Sequence, residues 1–304
     1  MGDILASPPT LLRHEGIPCS GPDALVPTAA RLLSTGLRDG DACMVLADNH
    51  KLHAVRDAVG PPAEDATFFD MSVHGRNPAR VVPALQAFAD GHRDRRLRVI
   101  AEPVAADLPQ QARAESELNE LILGLPSYRA WHATMSCLYD ETALADEVMD
   151  SLEDGHRTRL PVEVETLLMR RFGAGLSPSP SDARRMSADL TTLHDLRRAV
   201  GRLGESAGLD AERIDDLVYA VNEVVTNSIC HGEGRARVLV WSDSAGVWCE
   251  VHDRGRISDP LVGRVAPRPG QASGRGLWLV NQLCDLVQVR SSAAGTFVRM
   301  FVEF

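Results

Sequence analysis

Glu223 and Asn227 stand four residues apart in the stretch NEVVTNSICHGEG, residues 222–234. On a helix turning roughly 100° per residue they lie about 40° apart around the axis. They flank the apolar stripe of Leu217, Val218, Val221, Val224, Val225 and Ile229 rather than opposing it. A carboxylate and an amide beside a core face fit a ligand site, or equally a surface Glu near a helix C-terminal Asn. Two further stretches carry chemistry of their own. HDRGR (252–256) ends a predicted strand with Asp253 and Gly255. A strand-end carboxylate is a fixed acceptor for an exocyclic amine, and the glycine lets the chain turn close to a ring; an ordinary Asp-x-Gly turn reads the same. SGRGLWLVNQLCDLV (273–287) sets Gly274 and Gly276 just before an apolar-periodic helix. Unpaired N–H groups and the helix dipole at such a start attract an anion. A plain glycine turn capped by Ser273 is the alternative.

The bulk numbers narrow the chemistry. The 304 residues suffice for two domains, each with its own core. A net charge of −10 is a poor footprint for neutralising phosphates, so no direct nucleic-acid partner is expected. No window reaches the roughly 18–20 apolar residues of a membrane span. The start, MGDILASPPTLLRHEG, has an acid at position 3 and no basic segment of a signal peptide, so the expected location is cytoplasmic. The six cysteines form no C-x-x-C pair, which predicts reduced, mostly buried thiols. His14, His53 and His74 lack ligand-like spacing, so no metal is expected at them. Lys51 is the sole lysine, and its context DNHKLH is no phosphate loop. That excludes a Walker A site and a eukaryotic-type kinase, both of which need a lysine on the phosphates.

The elements that must position these residues fall into two rhythms on either side of GAGLSPSPSDARRMSAD (173–189), read as a linker. Before it, predicted helices at 23–37, 50–59, 78–91 and 110–123 alternate with apolar runs at 42–47, 66–71, 97–102 and 132–140. A last helix is expected near 141–154. Short buried strands between amphipathic helices predict a doubly wound, mainly parallel α/β domain over 1–172. After the linker come helices at 190–209 and from Ala211, then the hairpin pairs 237–243/246–253 and LVQVRSS/GTFVRMFVEF. In the last strand Val298, Met300, Val302 and Phe304 alternate with Arg299 and Glu303, which gives one packed face. The expectation over 190–304 is an α/β two-layer sandwich with a mixed, largely antiparallel sheet.

In this order and spacing, the three chemical stretches resemble the Bergerat-fold ATPases of the gyrase, heat-shock 90, histidine kinase and MutL superfamily. The resemblance implies ATP with Mg²⁺ as ligands. Asn227 would ligate Mg²⁺, and Glu223 would orient or deprotonate the nucleophile. Asp253 and Gly255 would meet adenine, and the Gly274–Arg275–Gly276–Leu277 segment would hold the triphosphate. Within the superfamily, AVNEVVTNSICHG, the D-x-G strand end and GRGLWLV look like the anti-sigma regulatory factors, bacterial serine-protein kinases of partner-switching systems. The implied substrate is a serine on a STAS-type anti-anti-sigma factor, and the second partner is a sigma factor. Glu223 and Arg275 become the catalytic pair, Arg275 neutralising γ-phosphate charge. His231 matches a histidine found after the N-box and is either structural or close to phosphate. A homodimer is compatible with the resemblance. His194 in TLHDLRR is read as no phospho-acceptor, because no four-helix-bundle hairpin surrounds it. The rival reading is a module that binds ATP without catalysis and only sequesters sigma.

In the first half, EPV (102–104), the acidic SELNEL helix (116–121) and CLYDE (137–141) resemble the sensory domain named for methanogens, methylotrophs and a dichloromethane regulator. A small-molecule ligand is the implied partner. Cys137, Tyr139 and Asp140 stand at a strand's C-terminal end, where open α/β sheets bind ligands; a packed thiol and a surface aspartate are the other reading.

Overall fold

The computed structural model describes residues 12–105, 108–145, 149, 156, 161–267 and 274–304. The chain divides into two units, Met1–Arg76 with Ala84–Leu167, and Asn77–Pro83 with Leu168–Phe304.

The first unit is built on β1 (Leu12–Cys19), β2 (Ala42–Ala47), β3 (Thr67–Asp70), β4 (Leu97–Ala101) and β5 (Ala133–Asp140). They form one sheet in the order β1-β5-β4-β2-β3, and every pairing is parallel. Strands β2, β4 and β5 are buried along their whole length, as uninterrupted apolar runs in a parallel sheet require. Helices α1 (Pro22–Arg38), α2 (Asn49–Val59), α3 (Val81–Gly91), α4 (Gln110–Leu123) and α5 (Pro126–Arg129) connect them. The chain switches direction across the sheet between β2 and β4. At their C-terminal ends Lys51 Nζ reaches Glu102 Oε2 at 2.7 Å and Asp48 Oδ2 at 2.9 Å, so the sole lysine is tied to two carboxylates. The expected helix at 78–91 opens as a 3₁₀ turn, Pro78–Arg80. Strand β1 was not expected: LRHEGIPC is an edge strand whose interior is partly exposed, so its apolar pattern is weak. Residues 141–144 form a turn, and the helix expected near 141–154 otherwise falls largely outside the described residues.

The second unit contains α6 (Pro161–Phe172) from Leu168 on, β6 (Arg184–Ala188), α7 (Leu193–Ala207), α8 (Ala211–His231), β7 (Ala236–Ser242), β8 (Gly246–Asp253), α9 (Arg275–Leu283), β9 (Leu286–Ser292) and β10 (Gly295–Glu303). Its sheet runs β6-β7-β8-β10-β9 with each neighbouring pair antiparallel. Val238, Val240, Cys249, Val251, Val298 and Met300 meet Leu196, Val200, Leu217, Val221, Val224 and Val280 of the helices in one core.

Two expectations change here, and the burial of Arg299 is added to them. Phe304 is exposed, so the packed alternation of the last strand ends at Val302. Arg299 is buried on the opposite face, where its Nε donates to Glu250 Oε2 at 2.9 Å and its Nη2 to the Ser177 carbonyl at 2.7 Å. The segment read as a linker is therefore held: Ser177 is tied to that face, and 184–188 are strand β6. Asn77 and Arg80 also belong to this unit. Asn77 Nδ2 donates to the Asn281 carbonyl at 3.1 Å, and Arg80 Nη2 to the Gln282 and Cys284 carbonyls at 2.8 and 2.9 Å. They satisfy the carbonyls that the end of α9 leaves unpaired.

Candidate nucleotide site

Helix α8 begins at Asp210, whose side chain accepts the Arg213 N–H at 2.9 Å, and is fixed further by ion pairs from Arg213 to Asp216 and Asp285. It ends where the Gly232 N–H meets the Ser228 carbonyl at 2.7 Å. Between these ends Leu217, Val221, Val224, Val225 and Ile229 of the stripe are buried, and Val218, Glu223 and Asn227 are half-buried. Helix α9 starts at Gly274, whose φ of 87° is the left-handed conformation a side chain disfavours.

The first turn of α9 lies over the polar pair. A Cβ on Gly276 would stand 3.0 Å from Asn227 Nδ2 and 3.2 Å from Glu223 Oε2. Both groups thus converge beneath a residue that leaves room for them. Arg275, at the first helical position, is exposed. The Leu277 side chain is buried in the core, so its contribution to a ligand is confined to its backbone N–H near the helix start. At the other end of α9, Asn281 Nδ2 donates to the Gly263 carbonyl at 3.0 Å, which anchors the segment after β8.

The turn after β8 closes on the end of α8. Asp253 Oδ1 accepts the Gly255 N–H at 2.6 Å. A Cβ on Gly232 would lie 2.5 Å from that carboxyl group, and one on Gly255 2.7 Å from the His231 carbonyl. The His231 side chain itself is exposed. Thr296 Oγ1 donates to the Gly255 carbonyl at 2.9 Å, and Ser291 Oγ accepts the Ile257 N–H at 2.9 Å. Sequence reasoning missed Gly232, Ser291 and Thr296. The His-Gly step after the polar pair hinted at the first, whereas a strand threonine and serine carry no local signal. A surface cavity of about 380 Å³ shares Gly232 and Asp253 and is also lined by Ser187, Arg235, Arg237 and His252.

The donor set fits a nucleotide with a divalent cation. Asn227 offers an oxygen ligand of the kind Mg²⁺ takes, Glu223 a carboxylate, and Gly274 to Leu277 a run of helix-start N–H groups. Asp253 Oδ2 is left to accept from an amine.

Cys137 and Tyr139 in the first unit are buried, and Asp140 is buried as well, its Oδ1 accepting the Thr142 N–H at 3.0 Å and hydroxyl at 2.7 Å. Asp140 is thus neither a surface residue nor free for a ligand through that oxygen.

Residues 186–302 match the family model described as histidine kinase-like ATPase domain, and residues 13–157 match the MEDS model, the methanogen/methylotroph, DcmR sensory domain. A solved structure of the RsbU and RsbW domains of Rv1364c from Mycobacterium tuberculosis is similar at 20% identity and a TM-score of 0.30, covering 41% of this chain and 33% of that one. No curated protein matches. The first half of the chain is thus similar to the MEDS domain and the second half to the histidine kinase-like ATPase domain.

Proposed function

We propose that the second half is an ATP- and Mg²⁺-dependent serine-protein kinase that phosphorylates a small anti-anti-sigma partner of the STAS type and otherwise sequesters a sigma factor. The first half is its sensory domain, and the pair works in the cytoplasm. The observation that carries the reading is the convergence of Glu223 and Asn227 beneath Gly276. A carboxylate set beside the cation ligand, at the start of a helix that receives phosphate, suits phosphoryl transfer.

Bound ATP with Mg²⁺ supplies the γ-phosphoryl group. Asp253 orients the base by accepting from its amine, and Gly255 keeps the turn close to the ring. Asn227 would hold the cation, and the N–H groups at the start of α9 would hold the phosphates. Glu223 would accept the proton of the partner's serine hydroxyl as that oxygen takes the γ-phosphoryl group and the bond to the β–γ bridging oxygen breaks to release ADP, and Arg275 would neutralise charge in the transition state.

The test is phosphotransfer from labelled ATP to candidate anti-anti-sigma proteins of the same organism. Glu223→Ala is expected to keep nucleotide and sigma binding while lowering transfer by ~10²–10⁴-fold, the usual effect of losing a general base. Nucleotide binding with no transfer to any such partner in the wild type would leave a sequestering module without catalysis.

A further inference from the structure

Strands β1 and β5 pair in register with Gly16 beside Cys137 and His14 beside Met135, which puts His14, Gly16, Cys137 and Tyr139 on one face of the sheet. Helix α4 brings Glu120 to the same place, and His156 arrives from the segment after β5. Gly16 makes the room: a Cβ there would lie 3.2 Å from His156 Nδ1.

Four ligand-type atoms meet at this point. His14 Nε2 lies 3.1 Å from Glu120 Oε2 and 3.2 Å from Cys137 Sγ, and His156 Nε2 lies 3.5 Å from the same Glu120 oxygen. One ligand atom from each of the four residues lies within 4.8 Å of the others. The side chains of His14, Glu120 and His156 are only 12%, 4% and 7% exposed, and Cys137 is fully buried. His14 Nε2 is within hydrogen-bond distance of Cys137 Sγ, and the Tyr139 hydroxyl lies 3.3 Å from His156 Nε2, but these contacts leave one oxygen of the cluster over. Glu120 Oε2 is buried and accepts no hydrogen bond of acceptable angle among the described residues, although two imidazole nitrogens face it. A buried carboxylate oxygen left so is costly.

We propose that His14, Glu120, Cys137 and His156 form a binding site for one transition-metal dication, with Zn²⁺ the best match. Two imidazoles, a thiolate and a carboxylate are the ligand types that Zn²⁺ takes in tetrahedral sites. Bonds of ~2.0–2.3 Å to a central ion set ligand atoms roughly 3.3–3.8 Å apart, so the cluster needs to rearrange by no more than about 1 Å. Charge also closes. A dication with one thiolate and one carboxylate is neutral, which a buried site requires. Binding converts the Cys137 thiol to thiolate and passes its proton to the buffer. Sequence spacing could not reveal this set, because His14 and Cys137 are 123 residues apart.

The experiment titrates Co²⁺, then Zn²⁺, into the chelator-treated full chain without a histidine tag. One Co²⁺ per chain is expected, with a thiolate-to-cobalt charge-transfer band that Zn²⁺ displaces, and Zn²⁺ is expected to raise the unfolding temperature. Cys137→Ser should abolish the band, and His14→Gln should weaken Co²⁺ binding by more than the ~10–100-fold that losing an outer hydrogen-bond partner costs. Because either variant could misfold, each is compared with wild type by circular dichroism, and the wild-type titration stands by itself. Failure of the folded wild-type chain to take up either ion overturns the proposal, as does a band that persists in folded Cys137→Ser.

Discussion

The two units place polar groups at helix–sheet junctions in opposite ways. In the first, Glu120, Cys137 and two histidines are closed off from water and face one another. In the second, Glu223, Asn227 and Asp253 are half-buried and face glycines. Closed polar groups must satisfy each other or hold a tightly bound partner, because water does not pair with them. Half-open groups lined by glycine suit a ligand that comes and goes. Burial thus separates polar residues that maintain the structure from those that act on something outside it, and substitutions can be ranked by that distinction.

The largest stability effect is expected where a closed pair is broken. Arg299 and Glu250 have side chains only 4% and 8% exposed and pair at 2.9 Å on the outer face of the second sheet. Arg299→Ala strands the Glu250 carboxylate and should cost about 3–5 kcal/mol, whereas Arg299→Met with Glu250→Leu should recover most of it. Urea unfolding followed by tryptophan fluorescence measures both. A loss under about 1 kcal/mol in the single variant would remove Arg299 from the closed class.

The half-open site predicts the reverse, lost function at unchanged stability. Gly276 lies in the first turn of α9, where alanine is favoured over glycine by up to ~1 kcal/mol. The added methyl would stand 3.0–3.2 Å from the polar ends of Asn227 and Glu223 and displace them. Gly276→Ala is therefore expected to keep or raise the unfolding temperature while lowering nucleotide turnover by up to ~10²-fold, the order of loss that misplaced reacting groups cause. Full turnover in a stable variant would show that the pair does not depend on the space above it.

What was legible in the sequence follows the same division. The hairpins and their inward valines show a clean period of two, and the Glu223–Asn227 spacing beside an apolar stripe is a local pattern. The residues that could not be read depend on distant partners. Arg299 stands off the packed face of an alternating strand, and its burial shows only once Glu250 and Ser177 are placed beside it. SELNEL reads as an acidic helix, yet its Ser116, Asn119 and Glu120 are all buried. Ser177 and β6 looked like linker because glycine, proline and serine hide a strand that only pairing with β7 stabilises. Composition describes one segment, whereas burial is decided by what packs on it.

Between the two classes lies Asp48, with its side chain 38% exposed and bonded to Lys51. Burial opposes its ionisation, but the Lys51 ammonium and backbone N–H outweigh that and hold its carboxyl below the ordinary 3.8. A depressed folded value means that its contribution is present above the unfolded value and is lost as pH falls through the folded one, below 3.8. Asp48→Asn keeps the cap on α2 but removes the charge. Wild type should exceed the variant by no more than about 1 kcal/mol at pH 6, given the exposure, and the gap should close in the acid range. Urea midpoints for both proteins at pH 6 and pH 3 decide it; a gap that stays constant would assign the difference to the cap instead.

The smallest effect belongs to Asp195 and Arg198, which carry the same charges as Glu250 and Arg299. They pair at 3.2 Å one helical turn apart on α7, with side chains 72% and 62% exposed. Water screens this pair and both chains must give up rotamer freedom to form it, so Arg198→Ala should change stability by only about 0.2–0.5 kcal/mol. That near-silence makes the position useful. Arg197, Arg198 and Arg202 stand on one helix and offer a basic contact for an acidic partner, or simply a solvated face. Since stability is not at stake, a drop in affinity for the proposed sigma partner in Arg198→Ala would report a lost contact directly. A stability loss above about 1 kcal/mol would instead place Arg198 with the closed groups and break the ranking by burial.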